Sequence, residues 1–552
     1  MVLIYKFEYF SNNFTLIHNI KACLKDFEIN YKISKANNHI NLFVESTKEI
    51  LDEFSKILST FLPMSIFLKN VEVESVDEFP TFPDINHLDC SVLTFCTKCL
   101  KAVEEKGNKN YYDPFIFCED CGQDLEAKAL ILFDGKKEIK KSNYIEYFEY
   151  TSKLINDGKK VKIKTLSGEF VFSKLEAIDK NKKDKIKLLC TNLNNISDVL
   201  IASKQEIIAL ASIEKPRINL KINEVFKSKK ILINENIDVR YASDMILYLL
   251  CLELEKYNIN FLAYWKSDTF DSSLTFISST LYKKIEIPKI SILDNGQVIV
   301  LKSKNYDKSL DDVYKEFDEK NKSQFMVLLS ENYLFDKTIL NTYASTKHED
   351  GLTLYSTKID GMIDIFKYEL PISMSELFDE IKKDTNGAKL ILNYEKSFPD
   401  IYKTALSFDL SSINENSVYS IWKIVSVILG FEVDLLTGAH NALGDKGPRI
   451  DYKLDESDKI YKRRFNIYKL IQSGISYKLA GTNDNLICLG YIESFAHFVS
   501  SCVDMVNDEM KLDGISLCGD LFANKLISSF VHKSITKNYK IYYNKDFPIQ
   551  ID

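Results

Sequence analysis

The sequence predicts a multidomain protein of mixed α/β and α+β class, and three observations carry that expectation. The chain has 552 residues, too many for one hydrophobic core, so three or four domains are expected. Its first 78 residues alternate strand and helix patterns in the order βαββαβ, and alternating patterns resume past residue 127 and again past 316. Between the first two stretches lies a compact four-cysteine segment with the spacing of a metal knuckle pair.

The elements follow in order. Residues LIYKFEYF read as a strand, IHNIKACLKDF as a helix, and NYKISK and HINLFVES as strands. TKEILDEFSKILSTF has the i, i+3, i+4 spacing of an amphipathic helix, and SIFLKNVEVES closes with a strand. That order is the ferredoxin-like split βαβ arrangement. The Pro-containing stretch EFPTFPDINH marks a linker. Past the cysteines come the strand LILFDG, a helix TSKLINDG ending in glycine, and the strand KKVKIKTL. The run DDVYKEFDEKNKS reads as a solvated helix or linker near a boundary. Long helices are expected at SVYSIWKIVSVILG and LGYIESFAHFVSSCVDMVNDEM. The implied division is 1–78, 79–127, 128–315 and 316–552.

The cysteine segment reads Cys96-x2-Cys99, eighteen intervening residues, then Cys118-x2-Cys121. Each CxxC places two sulfurs on one side of a tight turn, and two such turns complete a tetrahedral S4 site. Four thiolates leave no open coordination position, so the expected Zn2+ is structural. Gly122 suits the turn after the last ligand. A disulfide pair and a redox CxxC are the competing readings, and a second knuckle at this spacing weighs against both.

Bulk composition excludes several classes. Hydrophobic residues make up 45% and charged residues 27%, a globular composition. A net charge of -7 gives no reason to expect nucleic-acid binding. The N-terminus lacks the order of a signal peptide. The most apolar stretch, Val418 to Leu436, is broken by Lys423, Glu432 and Asp434, so no membrane span is expected and a cytoplasmic location is inferred. The remaining cysteines, among them Cys23, Cys251 and Cys502, sit in apolar segments and read as buried thiols of a reducing compartment. Five of the 72 basic residues are arginine: Arg217, Arg240, Arg449, Arg463 and Arg464. Arginine is the usual bidentate grip on phosphate or carboxylate, which lysine replaces only as a point charge.

CTKCLKAVEEKGNKNYYDPFIFCEDCG resembles the zinc module of the HypF family of [NiFe]-hydrogenase maturation factors, with its CxxCL opening, "YYxPF" element and CxxCG close. KTLSGEFVF (Lys164 to Phe172) resembles the strand and turn that open that family's YrdC-like domain. LCGDLFANKLI (Leu517 to Ile527) resembles "LSGGVFQNRLL" of its Kae1-like domain, and SIWKIVSVILGF the helix before it. The resemblance covers most of the chain. It implies an acylphosphatase-like ferredoxin-like domain (1–78), a zinc-binding module (79–127), a YrdC-like α/β domain (128–315) and a degenerate Kae1-like, ASKHA-type α/β domain (316–552). HypF proteins use carbamoyl phosphate and ATP to make carbamoyl adenylate. They pass the carbamoyl group to the C-terminal cysteine of HypE, as a precursor of the cyanide ligands of the hydrogenase iron.

The resemblance also supplies a checklist of active groups. The acylphosphatase-like site needs a glycine-rich loop ending in arginine. Here the stretch is YFSNNFTLIHNI, without glycine or arginine: Asn12 and Asn13 tolerate unusual backbone angles, a lone helical His18 reads as packing or surface rather than as an anion contact, and the first arginine of the chain is Arg217, so this site is expected to be lost. The YrdC-like site needs a basic cluster and a Ser/Thr-x-Asn element; the region offers DKNKKDKIK and, at Ala263 to Asp268, AYWKSD with Lys266 and Ser267. The Kae1-like site needs an HxxxH pair and a distant Asp. The histidines (18, 39, 87, 348, 440, 497 and 532) contain no pair four apart, the "GG" is Gly519-Asp520, where an aspartate would repel a phosphate oxygen, and the chain ends at Asp552. One zinc module is present where the family has two. The nucleotide-binding residues carried over are Lys164, Gly519 and Asn524.

These departures point to a HypF-like hydrogenase accessory protein, close to the HydE-type proteins, with catalytic groups lost and with HypE-like maturation proteins or hydrogenase subunits as partners. The alternative is an active carbamoyltransferase using carbamoyl phosphate and ATP. A zinc-stabilised module unconnected with hydrogenase is the third reading.

Overall fold

The computed structural model describes residues 1–85, 94–118, 127–178, 186–232, 235–278, 284–359, 361–413, 415–457, 459–535 and 539–550. Internal contacts divide the chain into two units, residues 1–291 with 302–307, and residues 292–301 with 308–552.

Unit 1 begins with the expected βαββαβ run. Its strands are β1 (Val2–Tyr9), β2 (Asn30–Ala36), β3 (His39–Glu45) and β4 (Leu68–Val76), with helices Thr15–Leu24 and Lys48–Phe61 between them. The sheet order is β2-β3-β1-β4 and every pairing is antiparallel. The alternation in β1 decides which face is covered. Phe7 and Tyr5 point at the helices, where Tyr5 meets Phe54 edge-on at 5.7 Å. Thr47 caps the second helix by accepting from Ile50 N.

The second sheet of unit 1 is built from β5 (Ala127–Asp134), β6 (Lys137–Ile139), β7 (Val161–Thr165), β8 (Gly168–Lys174), β9 (Lys187–Cys190), β10 (Leu200–Ile201), β11 (Arg217–Ile222), β12 (Asn236–Arg240), β13 (Phe261–Trp265), β14 (Ser272–Ser278) and β15 (Lys289–Ile292). Their order is β15-β11-β12-β9-β13-β8-β7-β14-β5-β6, with β10 on β11. Helix Met245–Glu255 is apolar on nearly every side, as a fully packed helix must be, and buries Leu247, Leu249, Leu250 and Leu254 completely. Asp244 caps it, accepting from Leu247 N.

Unit 2 holds β16 (Val298–Lys302), to which Ile549 N and Gln550 N donate, and a six-stranded sheet. That sheet consists of β17 (Ile339–Tyr343), β18 (Gly351–Ser356), β19 (Gly361–Lys367), β20 (Arg463–Arg464), β21 (Gly514–Cys518) and β22 (Ile541–Tyr542), in the order β20-β19-β18-β17-β21-β22. β17 pairs antiparallel with β18 and parallel with β21, so the strand order reverses around β17. Helix Val418–Leu429 runs from its Ser417 cap to Gly430, whose φ of 62° ends it in the left-handed region. Asp484–Met510 is the one described helix long and apolar enough to cross a membrane, and 72% of its most apolar 18-residue stretch is buried inside the protein.

Candidate functional site

Cys96 caps helix Thr97–Glu104, and Leu100 N donates to its carbonyl, so Cys99 is carried on the first turn. The Cys96 and Cys99 sulfurs lie 3.6 Å apart and those of Cys96 and Cys118 3.7 Å. Zn–S bonds of about 2.3 Å in a tetrahedron separate sulfurs by about 3.8 Å, whereas a disulfide needs about 2.05 Å. The three sulfurs therefore fit one metal ion. Cys121, the predicted fourth ligand, lies outside the described residues. Cys96 and Cys99 are buried and Cys118 is half-buried. A metal held there would cross-link two segments of the chain.

The described residues of the cysteine segment share a core with the part of unit 1 that follows. Phe95, Val103, Tyr112, Phe115 and Ile116 pack in one cluster with Leu132 and Phe276 of the sheet that follows and with Phe148 and Leu250 of the helices on it. Tyr112 has a left-handed φ of 58° and donates its hydroxyl to Glu253, at 2.5 Å; Glu253 is 1% exposed and is held on its other side by Lys256, at 2.7 Å. Tyr248 pairs likewise with Glu104. Burial and these carboxylates push both phenols well above their ordinary range. The YYxPF element is thus the segment's anchor.

The loop after β1 is filled by its own side chains. Asn13 Oδ1 accepts from the Tyr9 hydroxyl at 2.7 Å and Thr15 N at 3.1 Å, and Asn13 N donates to Ser11 Oγ at 3.0 Å. Lys35 donates to the Asn13 carbonyl and lies 4.8 Å from the Phe14 ring centroid. Neither Asn12 nor Asn13 takes a left-handed backbone. His18 is half-buried on the following helix.

Unit 1 also contains a cationic pocket that the sequence did not reveal. Arg240, at the end of β12, is 2% exposed. Its guanidinium lies 4.5 Å over the Tyr264 ring and 5.2 Å from that of Phe170, and Nη1 donates to Ser167 Oγ at 3.1 Å. Nε and Nη2 are buried without a hydrogen-bond partner. Lys187, Arg217 and Lys289 stand close by on β9, β11 and β15, and burial, then their charges, lower the Lys187 ammonium below its ordinary range. Asp238 accepts from Lys289 at 3.0 Å and lies 3.5 Å from Arg217 Nε. Asp244 is committed to Leu166 N and Leu247 N and is pushed up by burial. Two unpartnered guanidinium nitrogens beside this excess of positive charge fit an oxyanion.

Of the residues expected here, Lys164 donates to the Phe276 carbonyl at 2.9 Å and stacks on its ring. Lys266 is exposed beyond β13, and Ser267 accepts from Thr269 N at 3.1 Å to make a turn. Of the run DKNKKDKIK, 179–185 lie outside the described residues, but its last member, Lys187, reaches the pocket. The detectable signal was one arginine ending a strand in an arginine-poor chain.

In unit 2 the reversal of strand order around β17 places a crevice at the carboxyl ends of β17 and β21, where ligands of open α/β sheets bind. Gly519 has φ 95°, and a Cβ there would come within 2.1 Å of the Ala344 carbonyl oxygen, so glycine is required for the two loops to touch. Asp520 then crosses to the opposite loop. It accepts from Ser345 Oγ at 2.8 Å, from Thr346 N at 2.8 Å and from Thr346 Oγ1. Asp350, 1% exposed, receives Ser345 N at 2.7 Å and Val418 N at 2.9 Å. Asn524 caps helix Lys525–Ser534 with its Oδ1, while its Nδ2 lies 3.3 Å from His440 Nε2. Gly519 and Asn524 therefore share one loop and helix start in unit 2, while Lys164 belongs to unit 1. Asp552 lies outside the described residues.

No protein-family profile matches the chain. Over 534 residues it is 22% identical to Protein HydE of Wolinella succinogenes, which spans 92% of this chain and 91% of that protein. Among solved structures, HypF of T. kodakarensis superposes with a TM-score of 0.66 at 12% identity, covering 99% of this chain and 96% of that one. Full-length HypF in its phosphate- and nucleotide-bound form superposes with a TM-score of 0.61 at 11% identity, covering 100% and 96%. The chain has the multidomain HypF fold along its whole length and resembles HydE over nine-tenths of it.

Proposed function

We propose that this protein is an accessory factor of [NiFe]-hydrogenase maturation, a HypF-like framework that acts by binding rather than by carbamoyl transfer. Its maturation role is supported by the whole-chain likeness to HypF and to HydE. The observation that carries the binding role is the Asp520 carboxylate, which takes the Ser345 and Thr346 donors at the strand-order reversal. A phosphate oxygen approaching those donors would meet a negative charge already seated on them. The loop after β1, closed by Asn13 and Lys35, supports the same reading.

In this proposal the parts are an acylphosphatase-like domain (1–78), a zinc module (79–127), a YrdC-like domain (128–315) and a degenerate Kae1-like domain (316–552). A structural Zn2+ is held by Cys96, Cys99, Cys118 and Cys121. The partners are HypE-like maturation proteins or hydrogenase subunits, in the cytoplasm. Deleting the gene in its host tests the role: hydrogenase activity should fall and return with the reintroduced gene, and unchanged activity would contradict it.

A second reading is favoured by Arg240, whose Nε and Nη2 are buried and unpartnered. In that reading the YrdC-like domain still takes an oxyanion, and the protein is a carbamoyltransferase using ATP and carbamoyl phosphate. Arg240→Met separates the two, because it should abolish carbamoyl transfer under the second reading and leave an accessory role dependent on binding intact.

A further inference from the structure

We propose that the outer edge of β4 is a docking edge for an extended segment of a partner protein, one in which lysine or arginine alternates with apolar residues. The inference rests on the accessory reading for its biological meaning, since it names the surface through which a protein acting by binding takes its partner.

The two edges of the first sheet are finished differently. At the β2 edge, Ile33 N donates to Asp84 Oδ1 at 3.0 Å, and Lys21 holds that carboxylate at 2.7 Å. Phe82 packs edge-on against Phe43 of β3 at 5.8 Å, so the chain leaving β4 crosses the sheet and closes that side. β4 is the opposite edge, and among the described residues no strand pairs with its outer side. Lys69 through Ser75 are all exposed. Val71 N donates to the Asn70 side chain at 2.9 Å, which places it outside the ladder with β1. Strand alternation then turns the backbone groups of Val73 and Ser75 outward as well. Such a row of outward N–H and C=O groups is a template for one more strand.

The side chains of β4 select the occupant. Val71 and Val73 pair with Phe7 and Tyr5 and so stand on the helix-covered face, yet they remain 42% and 51% exposed. Glu72 and Glu74 stand on the other face, and exposed Asp77 and Glu78 extend the acidic run past the strand. The lone lysine of this stretch, Lys69, lies 4.2 Å from the Phe10 ring centroid, and Lys6 answers Glu74 at 2.5 Å. A strand added here sets its side chains opposite those of β4. Apolar residues then meet Val71 and Val73, and cations meet Glu72 and Glu74. A second copy of the chain fits this edge poorly. The fullest antiparallel overlap of two β4 strands brings Glu72 opposite its own copy, and like charges directly opposite destabilise the pair.

The test uses the full-length protein and a labelled nine-residue peptide of alternating lysine and valine, capped at both ends. A glutamate–valine peptide of the same length is the control. Fluorescence anisotropy should show binding of the lysine peptide that weakens with added salt, and no binding of the glutamate peptide. Hydrogen exchange at Val71, Val73 and Ser75 should slow when the lysine peptide is present. Glu72→Lys should weaken the lysine peptide about fivefold, the size of one cross-strand charge pair. Val73→Pro removes one outward donor and should weaken binding by at least as much. If that variant fails to fold, a lysine–valine peptide N-methylated on alternate amides makes the same comparison on wild type. Equal binding of the two peptides, binding without slowed exchange in β4, or a dimer of the protein alone that slows exchange in β4 would overturn the proposal. The peptide comparison is independent of hydrogenase: a host that keeps its activity without the gene contradicts the accessory reading and leaves this result in place.

Discussion

Arg240 shows what a single residue contributes here. A guanidinium that is 2% exposed with two unpartnered nitrogens costs stability, because its solvation is only partly replaced by Ser167 and the Tyr264 ring. Arg240→Met should therefore leave the melting temperature unchanged or raise it, and a fall of several degrees would show that the arginine is structural. Glu331 is the counterpart in unit 2. It is 1% exposed, accepts from Asn544 Nδ2, Lys545 N and Phe547 N, and shares its site with the buried Asp546. Burial first, then Asp546, raises its pKa to about 8. The folded state thus holds a proton that the unfolded state releases near 4.5, so this stability is full below 4.5 and is lost as pH rises through 8. The denaturation midpoint should fall between pH 5 and 8.5 in wild type, and Glu331→Gln should flatten that slope. An identical slope in both would assign the effect elsewhere.

The elements differ in how far the sequence revealed them. The βαββαβ run was legible because the alternation in β3 and the second half of β1 and the 3.6-residue spacing of Lys48–Phe61 are local signals. Cysteine spacing is local too, and the sulfur geometry agrees with it. The packing of the cysteine segment was not legible, since Tyr112 finds Glu253 across 141 residues. Tyr112→Phe leaves the Glu253 carboxylate buried with one partner fewer and should cost about 1.5–3 kcal/mol, read by chemical denaturation. Cys118→Ser should lower zinc below one ion per chain and reduce the melting temperature, because metal binding supplies folding energy. Retained zinc with an unchanged melting temperature would contradict the metal site. The cationic pocket escaped the sequence for the same tertiary reason: Lys187, Arg217, Arg240, Tyr264 and Lys289 come from five separate strands and Ser167 from the turn between β7 and β8. Asp520 was legible as a charge hostile to phosphate, but its partners on another loop were not.

At the scale of the whole molecule, the chain has the HypF fold with two places that suit oxyanions, one in each unit. The pocket in unit 1 has unpartnered donors, and the crevice in unit 2 has its donors taken by Asp520. A transferase that activates carbamoyl phosphate with ATP must accept anionic substrates, whereas a protein acting by binding needs the framework alone. The central claim is therefore tested by incubating purified wild-type protein with carbamoyl phosphate, ATP and HypE, then following AMP release and the mass of the HypE C-terminal cysteine. The account predicts no AMP above background and an unmodified cysteine. Carbamoylated HypE formed at the rate of a parallel HypF reaction would contradict it.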